Sequence, residues 1–126
     1  MSKFLIAEGR NTPKISFDPE NCCFEIKGKS YPENAENFYK STVVWLEKYT
    51  LENPARVKVD MNFQFISSAS VICVLQMLRV LDALQDKGCE VKINWFYDSD
   101  DGEDDIKITG EDLESLTNLH FEYIPN

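Results

Sequence analysis

The chain has 126 residues, with 22 acidic against 13 basic side chains and a net charge of -9. Phosphate backbones and anionic lipid surfaces repel such a molecule, and no run of Lys and Arg interleaved with aromatics makes a local exception, so nucleic-acid and membrane partners are not expected. The hydrophobic content of 43% supplies the core of a single domain spanning residues 1–126, and no stretch reaches the ~18 apolar residues of a membrane span.

In chain order, Ile15 to Phe17 and Phe24 to Ile26 alternate apolar and polar residues around Asp18-Pro19-Glu20-Asn21, a strong turn sequence, which predicts a β-hairpin. Ser30-Tyr31-Pro32-Glu33 fits a capping box with Pro in the first turn. Phe38, Thr42, Trp45, Leu46 and Tyr49 then recur at helical spacing until Asn53-Pro54. Val57, Val59, Met61, Phe63 and Phe65 alternate with Lys58, Asp60, Asn62 and Gln64, the pattern of a strand with one face in the core. Ser67-Ser68-Ala69-Ser70 interrupts it, and a helical pattern runs from Val71 to Lys87, stopping at Gly88. Glu90 to Tyr97 reads as a strand, Glu111 to Leu116 as a short helix, and His120 to Ile124 as a closing strand. The order ββαβαβαβ, with about five strands and crossovers of a dozen residues or more, predicts an α/β fold: a mixed sheet with helices packed against it.

Charge is concentrated. From Asp98 to Glu114 there are nine acids and one Lys, so this segment carries -8 and the remainder -1. The run Asp98 to Asp105 suggests calcium but fails the EF-hand register, which wants Gly where Glu103 stands and Glu where Thr109 stands. It reads as a solvated loop, an acidic surface for a basic partner or, at lower rank, a metal site, with the Asp98 to Glu114 carboxylates also open to an enzyme or ligand/metal binder. Cys22, Cys23, Cys73 and Cys89 form no C-x-x-C pair and read as small buried residues of a reducing compartment. His120 alone completes no catalytic or zinc constellation, and five glycines build no phosphate cradle, so no catalytic residue, metal or cofactor is assigned. The first ten residues lack the apolar core of a signal peptide, which places the expected location in the cytoplasm.

The Ser67 to Ser70 cluster between a core strand and an apolar helix has two readings. It is a plain N-terminal cap, or a phosphorylation site at which the helix dipole stabilises the added charge. Ile72 falls within the polar stripe defined by Gln76, Arg79, Ala83, Asp86 and Lys87, and Leu75 lies at its edge. Either a neighbouring element covers these two apolar residues, or they form a docking patch beside the serines.

Four segments carry a resemblance along nearly the whole chain: Thr12-Pro13-Lys14-Ile15-Ser16-Phe17-Asp18, Gly28-Lys29-Ser30-Tyr31-Pro32-Glu33-Asn34 with Phe38-Tyr39 and Trp45-Leu46, the serine cluster, and Trp95-Phe96-Tyr97 with Gly110-Glu111. In these the chain resembles the SiaC-type regulatory phosphoproteins. The resemblance implies a STAS-like, non-enzymatic partner-switching module, phosphorylated by a cognate Ser/Thr kinase and dephosphorylated by a PP2C-type phosphatase. The dephosphorylated form would bind a partner such as a diguanylate cyclase, in cyclic-di-GMP signalling of biofilm type. Carried over by position, the phosphoacceptor falls on Ser67, with Ser68 and Ser70 as alternates. Partner contacts fall on Ile66, Val71, Ile72, Leu75, Tyr31, Pro32, Glu33 and Asn34. Ile66 and Val71 replace the Asn and Lys usual in the family, which leaves open a constitutive binding module that has lost the switch.

Overall fold

The structure is a computed structural model and describes residues 1–99 and 105–126. Among the described residues, six strands and three helices follow one another as β1 (Phe4–Ile6), β2 (Lys14–Asp18), β3 (Cys23–Ser30), α1 (Ala35–Thr50), β4 (Arg56–Ile66), α2 (Ser68–Asp86), β5 (Glu90–Tyr97), α3 (Asp105–Ser115) and β6 (Phe121–Pro125). The strands lie in one mixed sheet in the same order as in the chain. β1, β2 and β3 are antiparallel, while β3 to β6 run parallel and are joined by the helical crossovers that parallel pairing requires.

One face of the sheet is buried. Ile15, Phe17, Phe24, Ile26, Val57, Val59, Met61, Phe63, Ile93, Trp95 and Phe121 form it, because side chains alternate along each strand and this set is apolar throughout. α1 lays Tyr39, Leu46 and Tyr49 on it, with Trp45 closing an aromatic group against Phe17 and Phe24. α2 contributes Cys73, Val74, Met77, Leu78, Leu81 and Leu84. α3 sets Gly110 over Trp95, whose indole donates to the Ile106 carbonyl at 2.7 Å. The opposite face carries Lys27, Lys29, Arg56, Lys58 and Lys92, all exposed, and stays open.

The hairpin, the mixed sheet and the helical crossovers agree with the sequence reading, and several details do not. β1 was not foreseen, since three residues give no periodicity. Ser30 is no helix cap: it ends β3, fully buried, and α1 begins at Ala35 with Asn34 accepting the Asn37 amide at 3.0 Å. Pro32 holds its neighbour extended and delays the helix. α3 starts at Asp105, ahead of the expected Glu111. By length and composition α2 could cross a bilayer, which a count of consecutive apolar residues did not reveal, yet its apolar side chains are those of a core helix.

The candidate switch at the β4–α2 junction

The junction begins with a defect in the sheet. Between Gly28 and Lys29 the β3–β4 register shifts, so that Gly28 faces Phe63 while Lys29 faces Phe65. One extra residue on β4, Gln64, inverts the alternation beyond it. Phe65, expected in the core, is therefore 52% exposed on the open face, and Ile66 turns to the helix side beside Ser30. Gly28 takes φ +124°, a conformation open to glycine, with the Glu8 side chain against it.

Ser67 follows in an extended conformation and caps α2: its Oγ accepts the Ser70 amide at 3.2 Å. Four hydroxyls then connect the cap to the interior. Ser67 Oγ donates to Ser70 Oγ at 3.0 Å, Ser30 Oγ donates to the same atom at 2.8 Å, and Ser70 Oγ donates to the Ser30 carbonyl at 3.2 Å. With the Ser30 proton so used, the Tyr39 hydroxyl, 2.6 Å away, is the donor to Ser30 Oγ. The Ser67 amide also donates to the Ser30 carbonyl at 2.8 Å. Ser30 and Ser70 are fully buried, and burial pushes the Tyr39 phenol up to about 12 although its serine hydrogen bonds pull the other way. The relay thus joins the end of β3, the second turn of α1 and the first turn of α2 with every hydroxyl proton placed.

Ser67 is half-buried, Ser68 is exposed and Ser70 is sealed, so the accessible hydroxyls are those of Ser67 and Ser68. Among the apolar residues near them, Ile72 is 64% exposed, whereas Ile66, Val71 and Leu75 pack partly against the core. The open patch on α2 is thus Ile72 rather than an Ile72–Leu75 pair. Glu33, Asn34 and Glu36 at the start of α1, with Ala69, Ile72 and Gln76 of α2, line one shallow groove. Tyr31 lies apart from that groove, packed edge-on against Phe65 with ring centroids 5.4 Å apart, and Pro32 is half-buried between. Phe65 escaped the sequence reading because strict alternation assigned it to the core; the only available signal was Gly28, a bulge former in the partner strand.

Elsewhere the expected sites are sparse. Among the described residues no group of three or more His, Cys, Asp or Glu could hold a metal. The calcium-like run lies largely on residues 100–104, outside the described residues. His120 is exposed, 3.8 Å from Glu114. Cys73 and Cys89 are buried as expected, and burial raises both thiols, with Glu36 adding to the effect at Cys73. Cys22 and Cys23 are not buried: Cys22 is half-exposed and Cys23 lies open, because it starts β3 on the open face of the sheet.

A family model described as SiaC family regulatory phosphoprotein matches residues 6–126. The chain belongs to the SiaC family. An uncharacterised protein of Pseudomonas aeruginosa strain UCBPP-PA14 is 24% identical over 98 residues, covering 78% of either chain. Apo-SiaC from P. aeruginosa superposes with a TM-score of 0.89 at 21% identity, over 98% of this chain and 99% of that one. SiaC in complex with the diguanylate cyclase SiaD from P. aeruginosa, which it activates, gives 0.89 at 20% identity over the same shares. Two of the segments that carry the SiaC resemblance hold defined contacts: Gly28 to Asn34 runs from the bulge through the relay to the α1 cap, and Trp95 rests on Gly110.

Proposed function

We propose that this SiaC-family protein is a non-enzymatic, cytoplasmic regulator whose docking to a diguanylate cyclase is gated by reversible phosphorylation of Ser67, with Ser68 as the accessible alternate. The observation that carries the reading is the cap itself. Ser67 is half-exposed, stands at the N-terminus of a nineteen-residue helix, and has an exposed Ile72 in the second turn. A phosphate there adds about -1.5 to -2 charges, which the unpaired amides and dipole of α2 accommodate. A partner covering Ile72 and the Glu33–Glu36 groove would have to desolvate that dianion, at a cost of several kcal/mol, about two or more decades in affinity. A cognate Ser/Thr kinase and a PP2C-type phosphatase would set the charge state, and the SiaC–SiaD complex supplies the partner class. The partner residues carried over from the family are Tyr31, Pro32, Glu33, Asn34, Ile66, Val71, Ile72 and Leu75, of which Ile72, Glu33 and Asn34 line the α1–α2 groove while Tyr31 stands apart beside Phe65.

The test pairs intact-mass analysis after incubation with the cognate kinase with cyclase binding by Ser67→Ala and Ser67→Asp. The expected result is one added phosphate, tight binding by the Ala variant and weak binding by the Asp variant; equal affinity of the two refutes the gate. A second reading, a constitutive binder, is favoured by one observation: the Ser67 oxygen already makes two hydrogen bonds to Ser70. Absence of phosphate on any serine after kinase treatment, with cyclase binding intact, would decide for it.

A further inference from the structure

The register shift in β4 places an aromatic pair on the open face of the sheet. Phe65 is 52% and Tyr31 38% exposed, and their rings meet edge to face at 89°. A bare aromatic pair on a wet surface is stabilised when something apolar covers it, and bulges commonly re-aim side chains at working sites. Lys29 stands opposite Phe65 in the register, and Lys27 is its neighbour along the same face of β3. Among the described residues neither lysine lies within ion-pair distance of a carboxylate, although Lys14 is tied to Glu25 at 2.7 Å. Two acids share this face: Glu25, two residues from Lys27, is engaged by Lys14, and Asp60, opposite Glu25 on β4, accepts from the Asn94 side-chain amide at 2.9 Å. On the far side of Phe65 the charge reverses: Asp98 and Asp105 share a cleft with Gln64 and Phe65. In a protein of net charge -9, the fold has therefore assembled a cationic margin on one flank of an aromatic anchor and an anionic margin on the other.

We infer that Phe65 and Tyr31, with Lys27 and Lys29, form a second docking element for a partner segment that carries an apolar anchor and acidic side chains. The anchor covers the aromatic pair and the acids lie over β3, so the charge reversal across Phe65 fixes the direction of the segment. Single-stranded nucleic acid also likes aromatic and basic surfaces, but two lysines in so acidic a molecule cannot offset the repulsion of a phosphate chain. The inference rests on the proposed reading in one respect, that the partner is a protein. It also deepens that reading, since Ser67 follows Phe65 by two positions and its amide binds the Ser30 carbonyl, next to Lys29, so a phosphate there would repel the same acids.

The experiment titrates the isotope-labelled full chain with a blocked peptide of Glu and Leu, with its counterpart carrying Lys for Glu, and with oligothymidylate, following amide shifts up to millimolar ligand. The Glu peptide is expected to shift residues 27–31 and 63–67, and the others to leave them still. Lys27→Glu combined with Lys29→Glu, and separately Phe65→Ser, should each weaken the Glu peptide about tenfold or more. Both changes are at exposed positions, so an unchanged melting curve shows that folding is intact. No shift at these residues, equal or tighter binding of the Lys peptide, or preference for the oligonucleotide overturns the inference. Binding to the unmodified chain that is undiminished in Ser67→Asp upholds the surface and removes the gate, which keeps the two failures distinguishable.

Discussion

Replacing Ser67 with Ala removes the oxygen that accepts the Ser70 amide at 3.2 Å and the hydrogen given to Ser70 Oγ at 3.0 Å. Loss of such a cap costs about 1 kcal/mol. The buried Ser70 hydroxyl is not orphaned, because Ser30 still donates to it and it still donates to the Ser30 carbonyl, so no desolvation penalty adds to the cap. Aspartate at the same position caps as well as serine does, and its charge gains about 0.3–1 kcal/mol from the helix dipole, roughly offsetting the lost donation to Ser70. The expected stability order is therefore Ser67→Asp close to the unmodified chain, and Ser67→Ala lower by about 1 kcal/mol, or roughly 4 °C in Tm for a domain of this size. The order of cyclase affinity runs the other way under the proposed gate. Urea unfolding followed by circular dichroism at constant m-value measures the first quantity and a binding titration the second. If Ser67→Ala unfolds at the same urea concentration as the unmodified chain, Ser67 is not a working cap and the account of the junction is wrong.

Gly110→Ala would place a Cβ 2.5 Å from the Trp95 indole nitrogen, within a fully buried group; it should destabilise by about 1–3 kcal/mol despite the better helix propensity of Ala, and a rise in Tm would contradict the packing. Ser30→Ala leaves the buried Tyr39 hydroxyl without its acceptor and should cost about 1–3 kcal/mol, whereas Asn34→Ala removes an exposed cap for about 1 kcal/mol; a reversed order in denaturant melts would restore Ser30 as the cap. Tyr39 has its folded pKa raised by burial from 10.0 to about 12, so it contributes stability that is complete below pH 10 and drains away as pH climbs towards 12. Burial likewise raises Tyr49 and Tyr123, whose ionisation, followed by ultraviolet absorbance, should coincide with loss of ellipticity; early ionisation of all tyrosines in a folded chain would count against the burial.

The sheet was legible wherever one face had to be apolar over five or more residues, as in β4 and β5, because period-two patterning and burial are then the same fact. It failed where a local irregularity changed parity. Phe65 obeys the alternation in sequence and breaks it in space, since one bulged residue flips everything after it. Ser30 looked like a cap because a hydroxyl, a Pro and a Glu stand in the right order, and the competing demand, a buried partner for Tyr39, lies nine residues away in sequence. The serine cluster was placed at the start of α2 from chemistry alone. Which serine is sealed depends on the angle between α1 and α2, a tertiary quantity. Lys27, Lys29, Tyr31 and Phe65 belong to two strands and a loop, and only the β3–β4 register makes them neighbours.

Because neighbouring strands in space are also neighbours in sequence, each segment finds its mate immediately upstream, and chain growth can extend the sheet one strand at a time. The open hydrogen-bonding border then travels with synthesis from β3 to β5, whose Trp95-bearing strand would be the stickiest unfinished edge. β6 caps this border with five residues that end in Pro125, which has no amide hydrogen to offer an incoming chain. Truncation before residue 121 is accordingly the cut expected to promote self-association through the exposed β5 edge.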